Sequence, residues 1–147
     1  MTMSANCGRM IGMGMAGLLC AAPTYAATDL LSGEWVGTYT CGQGLTAVTL
    51  IIEPDGEQWS GVFSFGPDKH NKDVPEGLYE LDITQDGSDI RFMAGDWVTQ
   101  PAGYVTVDLH GRMSDDLTVI AGSVDFEGCD TFEVSRRTPL PPLGKTK

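Results

Sequence analysis

Chemistry in this chain would have to come from a short list of residues. There are four cysteines (Cys7, Cys20, Cys41, Cys129), two histidines (His70, His110) and 20 acidic residues against 9 Lys and Arg. His110 follows Asp108 in an alternating stretch, so a base and an orienting carboxylate are present as types. A hydrolase of the nucleophile-elbow kind needs G-x-S-x-G, which is absent, and no spacing brings a serine to His110. His110 therefore reads as a solvated strand-face residue, and His70, among Lys69, Asn71 and Lys72, as an exposed loop residue. Two cysteines with two histidines match a zinc donor set, yet no close-spaced ligand pair exists. Asp86-Gly87-Ser88-Asp89 and the stretch from Glu53 to Glu57 offer calcium-type oxygens. Both have hairpin composition instead. Glu80 and Asp82 are the paired carboxylates of a glycosidase in type only, since they share a strand face opposite Tyr79, Leu81 and Ile83. The expectation is no catalytic residue, no metal and no cofactor.

The cysteines depend on where the chain goes. Arg9 supplies a positive start, Met10 to Ala22 is an apolar run, and Thr24-Tyr25-Ala26 is a small-residue site before Ala27. That is the three-part pattern of a secretory signal. The run is shorter than the roughly 20 residues of a transmembrane helix. Leu18 and Leu19 before Cys20 disfavour a lipoprotein. Residues 1–26 are expected to be a signal peptide, and the product periplasmic or secreted. Cys7 and Cys20 leave with the signal. A thiol nucleophile is then excluded too, because Cys41 and Cys129 would be oxidised outside the cytoplasm. Cleavage removes one cation and no acid from a chain of net charge −11. Such acidity excludes a nucleic-acid binder and disfavours anionic membrane surfaces.

About 120 residues remain, enough for one core and one domain. No stretch has a convincing helical period. Short runs alternate with period two: Glu34–Thr40, Leu45–Glu53, Gln58–Phe65, Leu78–Thr84, Ile90–Ala94, Tyr104–Met113, Leu117–Phe126 and Thr131–Arg136, with Trp97–Gln100 a short strand or a loop. In Tyr104–Met113, Val105, Val107 and Leu109 are expected on one face. Pro54-Asp55-Gly56, Asp86-Gly87 and Ser114-Asp115-Asp116 supply turns. The fold class is all-β: a single antiparallel up-and-down barrel of about eight strands. Its expected domain spans 27–137. In such a barrel the first and last strands are neighbours, so Cys41 at the end of the first meets Cys129 at the start of the last. A Cys41–Cys129 disulfide would close that seam. Cys41 shares parity with the inward Trp35, whereas Cys129 opposes the inward Phe132 and Val134; a bulge near Gly128 would reconcile them. Gly66–Gly77 is the longest loop. Thr138–Lys147, with three prolines, is expected to be a flexible tail.

Gly33-Glu34-Trp35 with Arg136 or Arg137 resembles the G-x-W and arginine pair of the calycin barrels, which include lipocalins, avidins and bacterial metalloprotease inhibitors. That resemblance implies an arginine covering the tryptophan at the closed end. Trp35-x-Gly37-x-Tyr39-x-Cys41-x-Gln43-Gly44-x-Thr46 is similar to the opening of a family of small exported bacterial domains. So are Val74-Pro75-x-Gly77, Trp97, Gln100-Pro101-x-Gly103-Tyr104, Val107-x-Leu109-x-Gly111 and Gly128-Cys129-x-x-Phe132. This likeness implies one domain with Cys41 and Cys129 paired, and no mechanism. The avidin ligand site does not carry over, because Val36 to Thr40 lacks its asparagine and serine.

Binding has more support than catalysis. Trp35, Gly37 and Tyr39 share one face, as do Trp59, Gly61, Phe63 and Phe65. A glycine between inward aromatics either leaves room for a ligand or lets the strand coil; the bulk of the rings favours a filled barrel. Trp97, Pro101 and Tyr104, with His70 in the long loop, form the candidate binding rim. The expected function is a non-enzymatic exported binding module, protein-binding or inhibitor-like, with a secreted or periplasmic protein as partner. A lipocalin-like small-molecule carrier is the alternative, and a hydrolase with an unrecognised site the third reading.

Overall fold

The computed structural model describes residues 29–137. The expected signal peptide and Pro-rich tail lie outside the described residues. Eight strands follow in order: β1 Gly33–Cys41, β2 Gly44–Asp55, β3 Gln58–Gly66, β4 Gly77–Asp86, β5 Asp89–Thr99, β6 Asp108–Met113, β7 Val119–Asp125 and β8 Thr131–Arg136. Each pairs antiparallel with the next, and β1 pairs with β8, so the described residues form an all-β, closed up-and-down barrel. Among the described residues no helix is long and apolar enough to cross a membrane.

Alternation builds the core because successive strand side chains point to opposite faces. Val48, Leu50 and Ile52 of β2, Tyr79, Leu81 and Ile83 of β4, and Phe132 and Val134 of β8 are all buried. Rings fill the middle: Phe63 stacks on Tyr79 at 4.7 Å, and Tyr39 meets Phe63 edge-on at 5.2 Å. Each such contact adds about 0.5–1.5 kcal/mol beyond area burial. Gly37 and Gly61 do not leave space for a ligand. A Cβ on Gly37 would stand 1.8 Å from the Glu133 carbonyl oxygen, and one on Gly61 would stand 2.2 Å from that of Ile51. Tight coiling brings the neighbouring backbone to where a side chain would be.

Several local expectations need correction. Pro54 pairs with Trp59 inside the β2–β3 ladder, and the turn is Gly56-Glu57, with Gly56 at positive φ. The stretch holding Trp97 is not a separate strand or loop; β5 runs on to Thr99 through two register shifts. Between Leu81↔Ala94 and Tyr79↔Trp97, β5 spends one residue more than β4, so odd-numbered Trp97 joins the inward side of even-numbered Ile90 and Phe92. The sixth strand begins at Asp108; Tyr104–Val107 is irregular, and Val105 is 56% exposed rather than inward. Leu117, with φ 63, belongs to the turn before β7. Cys129 precedes β8 rather than beginning it. It sits in the turn from Phe126, where its N–H bonds to the Phe126 carbonyl at 3.1 Å and Gly128 takes φ 86. A residue outside the ladder has no strand parity, so a turn, not a bulge, reconciles the two cysteines.

Candidate functional site

The barrel has two unlike ends. At the closed end, residues 29–32 fold under the β1 start, and Leu31 is fully buried. Trp35 Nε1 donates to the Leu31 carbonyl at 2.9 Å. The Arg136 guanidinium lies 4.2 Å from the Trp35 ring centroid and is paired with Trp35 in register. It donates to the carbonyls of Leu117 at 3.2 Å, Ser32 at 2.9 Å and Leu30. Burial pulls the Arg136 pKa down, and the Asp29 charge opposes this. Trp59 Nε1 donates to Asp29 Oδ1 at 3.0 Å, and the same carboxylate accepts from Leu31 N, Ser32 N and Ser32 Oγ. Burial alone would raise the Asp29 pKa; the hydrogen bonds from Ser32, Trp59 and Leu31 outweigh it and hold the carboxyl below its usual range. This end is sealed by the chain itself.

The other end is open because β6 pairs with β5 only over Asp89–Phe92. Beyond Phe92 the outer half of β5 has lost its β6 neighbour, and residues 100–107 cross the gap. The Tyr79 hydroxyl takes over part of the missing ladder, donating to the Val107 carbonyl at 2.9 Å and accepting from Val107 N–H at 3.3 Å. Pro101–Tyr104 is a turn, and Tyr104 stacks on Phe65 at 5.5 Å. Opposite, the Cys41–Cys129 disulfide joins the β1 end to the 126–129 turn. Between them lies a half-open pocket of about 340 Å³, its walls Tyr39, Phe65, Tyr79, Tyr104, Val107 and the disulfide, its lip Gln43, Val105, Phe126 and Glu127.

Polar groups in the pocket are held in place. Gln43 Nε2 donates to the Tyr39 hydroxyl and to Thr46 Oγ1, both at 3.1 Å. Asn71 Nδ2 reaches from the 66–77 loop to the carbonyls of Gln43 at 2.7 Å and Leu45 at 3.1 Å. Burial pushes the Tyr39 hydroxyl well above its ordinary range, Tyr104 adds to this, and hydrogen bonding with Gln43 and Thr46 offsets part. Burial does the same to Tyr79 against its bond to Val107. Both phenols keep their protons and act as neutral hydrogen-bonding groups.

The expected rim residues divide. Tyr104 lines the pocket. Trp97 turns into the wall, edge-on to Tyr79 at 5.2 Å and to Phe65 at 6.2 Å. Pro101 packs near Gly77, and His70 is exposed in the loop, its N–H bonded to Asp68 Oδ1 at 2.8 Å. Sequence reasoning missed Phe126 and Glu127, the half-exposed lip beside the disulfide. A signal existed: Phe126 is a large apolar residue leading directly into a Gly-Cys turn.

His110 lies on the outer wall, opposite Ser123 in the β6–β7 register. The Ser123 hydroxyl turns to Asp125 at 3.4 Å, and Asp108 accepts from Ala94 N–H at 2.7 Å, so no hydrogen bond joins the three types into a catalytic unit. Glu80 and Asp82 face outward with Glu53 and Asp96 along a shallow groove of about 540 Å³. No group of three or more His, Cys, Asp or Glu side chains among the described residues is arranged to hold a metal. Comparison with family models, curated proteins and solved structures finds no match for this chain.

Proposed function

We propose that the protein is an exported, non-enzymatic binding module that recognises another protein through the open end of its barrel. The observation that carries this reading is the mouth pocket. It is the end of a ring-filled barrel, half-open, aromatic, and flanked by Phe126 and Val105, which are 49% and 56% exposed. Small-molecule sites run from about 300 to 1,000 Å³ and enclose most of their ligand. A half-open pocket of about 340 Å³ suits one inserted side chain better than an enclosed cargo. Apolar residues exposed around an aromatic recess are what a partner's anchor residue packs against. The disulfide agrees with an oxidising, extracytoplasmic setting. The non-enzymatic part rests on His110, whose carboxylate and hydroxyl neighbours are engaged elsewhere. Inhibition of a secreted hydrolase is a form of binding that a small, disulfide-closed, acidic barrel suits.

The carrier reading retains one supporting observation, since the pocket volume reaches the lower bound of ligand sites. One experiment separates the two. Mature protein, exported and purified, is used to capture partners from periplasm and culture fluid, and is inspected by native mass spectrometry. The binding-module reading expects a protein retained by the native chain and lost by Phe126→Ser. A co-purifying small molecule with no protein partner would overturn it in favour of the carrier.

A further inference from the structure

Resting on the binding-module reading, we infer that the mouth pocket takes a cationic side chain, an arginine or lysine presented by a basic partner protein. Its charge would sit between the aromatic rings and Glu127. Among the described residues that line the pocket, Glu127 is the one charged side chain, and it stands exposed on the lip. The remaining walls are the rings of Tyr39, Phe65, Tyr79, Tyr104 and Phe126, with the disulfide. Aromatic faces attract a guanidinium or ammonium, and a long alkyl stem packs on apolar walls.

Competing occupants fit less well. An anionic group would enter a largely aromatic recess with no cation among the described lining residues and would face Glu127. A purely apolar side chain would cover Glu127 without pairing it, which carries a desolvation cost. The net charge of −11 draws basic partners from a distance. Lys69 and Lys72 are the nearby opposition, on the loop that Asn71 ties to Gln43 and Leu45. Neither lysine lines the pocket. They are flanked by Asp68 and Asp73 on that loop, so their opposition to an incoming cation is small.

The test is an NMR titration of the mature protein with two probes of the same shape, Nα-acetyl-arginine methylamide and its neutral isostere Nα-acetyl-citrulline methylamide. The arginine probe is expected to shift the Tyr104 and Phe126 ring resonances and to bind about 5-fold or more tighter than the citrulline probe. Glu127→Gln, at an exposed site that leaves the fold intact, is expected to cut that preference about 2-fold or more, leaving the part that the rings supply. The Lys69→Gln/Lys72→Gln variant is expected to bind the arginine probe about 2-fold tighter. Equal binding of both probes, no saturable shift at the mouth, or shifts confined to the Glu80 and Asp82 groove would each overturn the inference. Failure of this inference is distinguishable from failure of the reading beneath it. If partner capture still depends on Phe126 while the probes bind equally, the module reading stands and the cationic anchor falls. If capture is insensitive to Phe126 as well, both fall.

Discussion

The two ends of this barrel are closed by different physics. At the Trp35 end, four consecutive residues, 29–32, are folded under the strands and bound by side chains from β1, β3 and β8. The side chains of Trp35, Trp59 and Arg136 there donate to backbone carbonyls or to the Asp29 carboxylate. At the Tyr104 end the wall is held by one covalent bond, by ring stacking and by the bonds of Gln43, Asn71 and Tyr79, and a concavity remains. A directional lattice seals by leaving no polar atom free. At the mouth the bonds of Gln43, Asn71 and Tyr79 and the bridge hold the wall in shape, but no segment of chain among the described residues is folded across the opening, so this is the end that offers a surface.

The largest expected effect separates the ends most sharply. Cys41 and Cys129 are 88 positions apart. By chain entropy a loop of that length contributes on the order of 4–5 kcal/mol. Replacing both cysteines by serine should lower the denaturation midpoint accordingly. Hydrogen exchange should quicken first at Tyr39, Thr40 and the 126–130 turn, while amides around Trp35 keep their protection. Equal loss of protection at both ends would show that the barrel opens as one unit and that the contrast is only geometric.

Trp35→Ala attacks the opposite end. The ring is fully buried, lies under Arg136 and holds the Leu31 carbonyl. Large-to-small aromatic substitution costs about 3–5 kcal/mol, and here it also leaves the Leu31 carbonyl without its donor. Chemical denaturation should show that loss. In whatever fraction remains folded, the Tyr104 and Phe126 ring resonances should stay near their native positions. Their displacement would mean that the closed end sets the mouth.

Legibility in the sequence followed the same division between local and distant causes. β8 was readable from Thr131 to Arg136 because clean alternation continues throughout it. Closure and the Cys41–Cys129 bond were readable because an up-and-down order forces the first and last strands together. Trp97 was not, because the β5 register shifts reverse its parity, and a bulge leaves no mark on a period-two pattern. Tyr104–Val107 alternates like a strand yet has no ladder, since the gap beyond Phe92 removes its partner and the side chains of Tyr79 and Gln100 replace it. In the site, the rings of Tyr39 and Phe65 were visible as an inward face. Glu127 and the Asp29 latch were not, because each is placed by a turn or by a contact 30 residues away.

Arg136→Lys is expected to have a smaller effect confined to the closed end. The planar fork reaches three carbonyls while covering the Trp35 ring. An ammonium keeps the charge but cannot span those acceptors. A loss of about 1–3 kcal/mol is expected, the scale of hydrogen bonds from a charged group. Exchange should rise at the amides of residues 30–32 and not at the disulfide turn. An unchanged midpoint would show that hydration replaces the fork at no cost, and that the lattice is less essential to closure than its geometry suggests.

The smallest effect concerns pH and is specific to one carboxylate. Asp29 has a folded pKa below the ordinary carboxyl value, because the bonds from Ser32, Trp59 and Leu31 outweigh the opposing effect of burial. A depressed acid stabilises the folded state above its unfolded pKa, and that contribution disappears as pH falls through the folded value. The side chain is largely exposed, so solvent screening keeps the contribution modest. Melting temperatures of the native chain should therefore fall more steeply below about pH 4 than those of Asp29→Asn, with the two curves converging at the acid limit. Asp116, whose pKa is also lowered by its bonds to Ser114 and Thr118, is present in both proteins and cancels from the difference. Parallel curves throughout would mean that the negative charge on Asp29 does not matter to the latch. The closed end would then be held by the Arg136 fork, the Trp35 ring and bonds to residue 29 that a neutral carbonyl accepts as well.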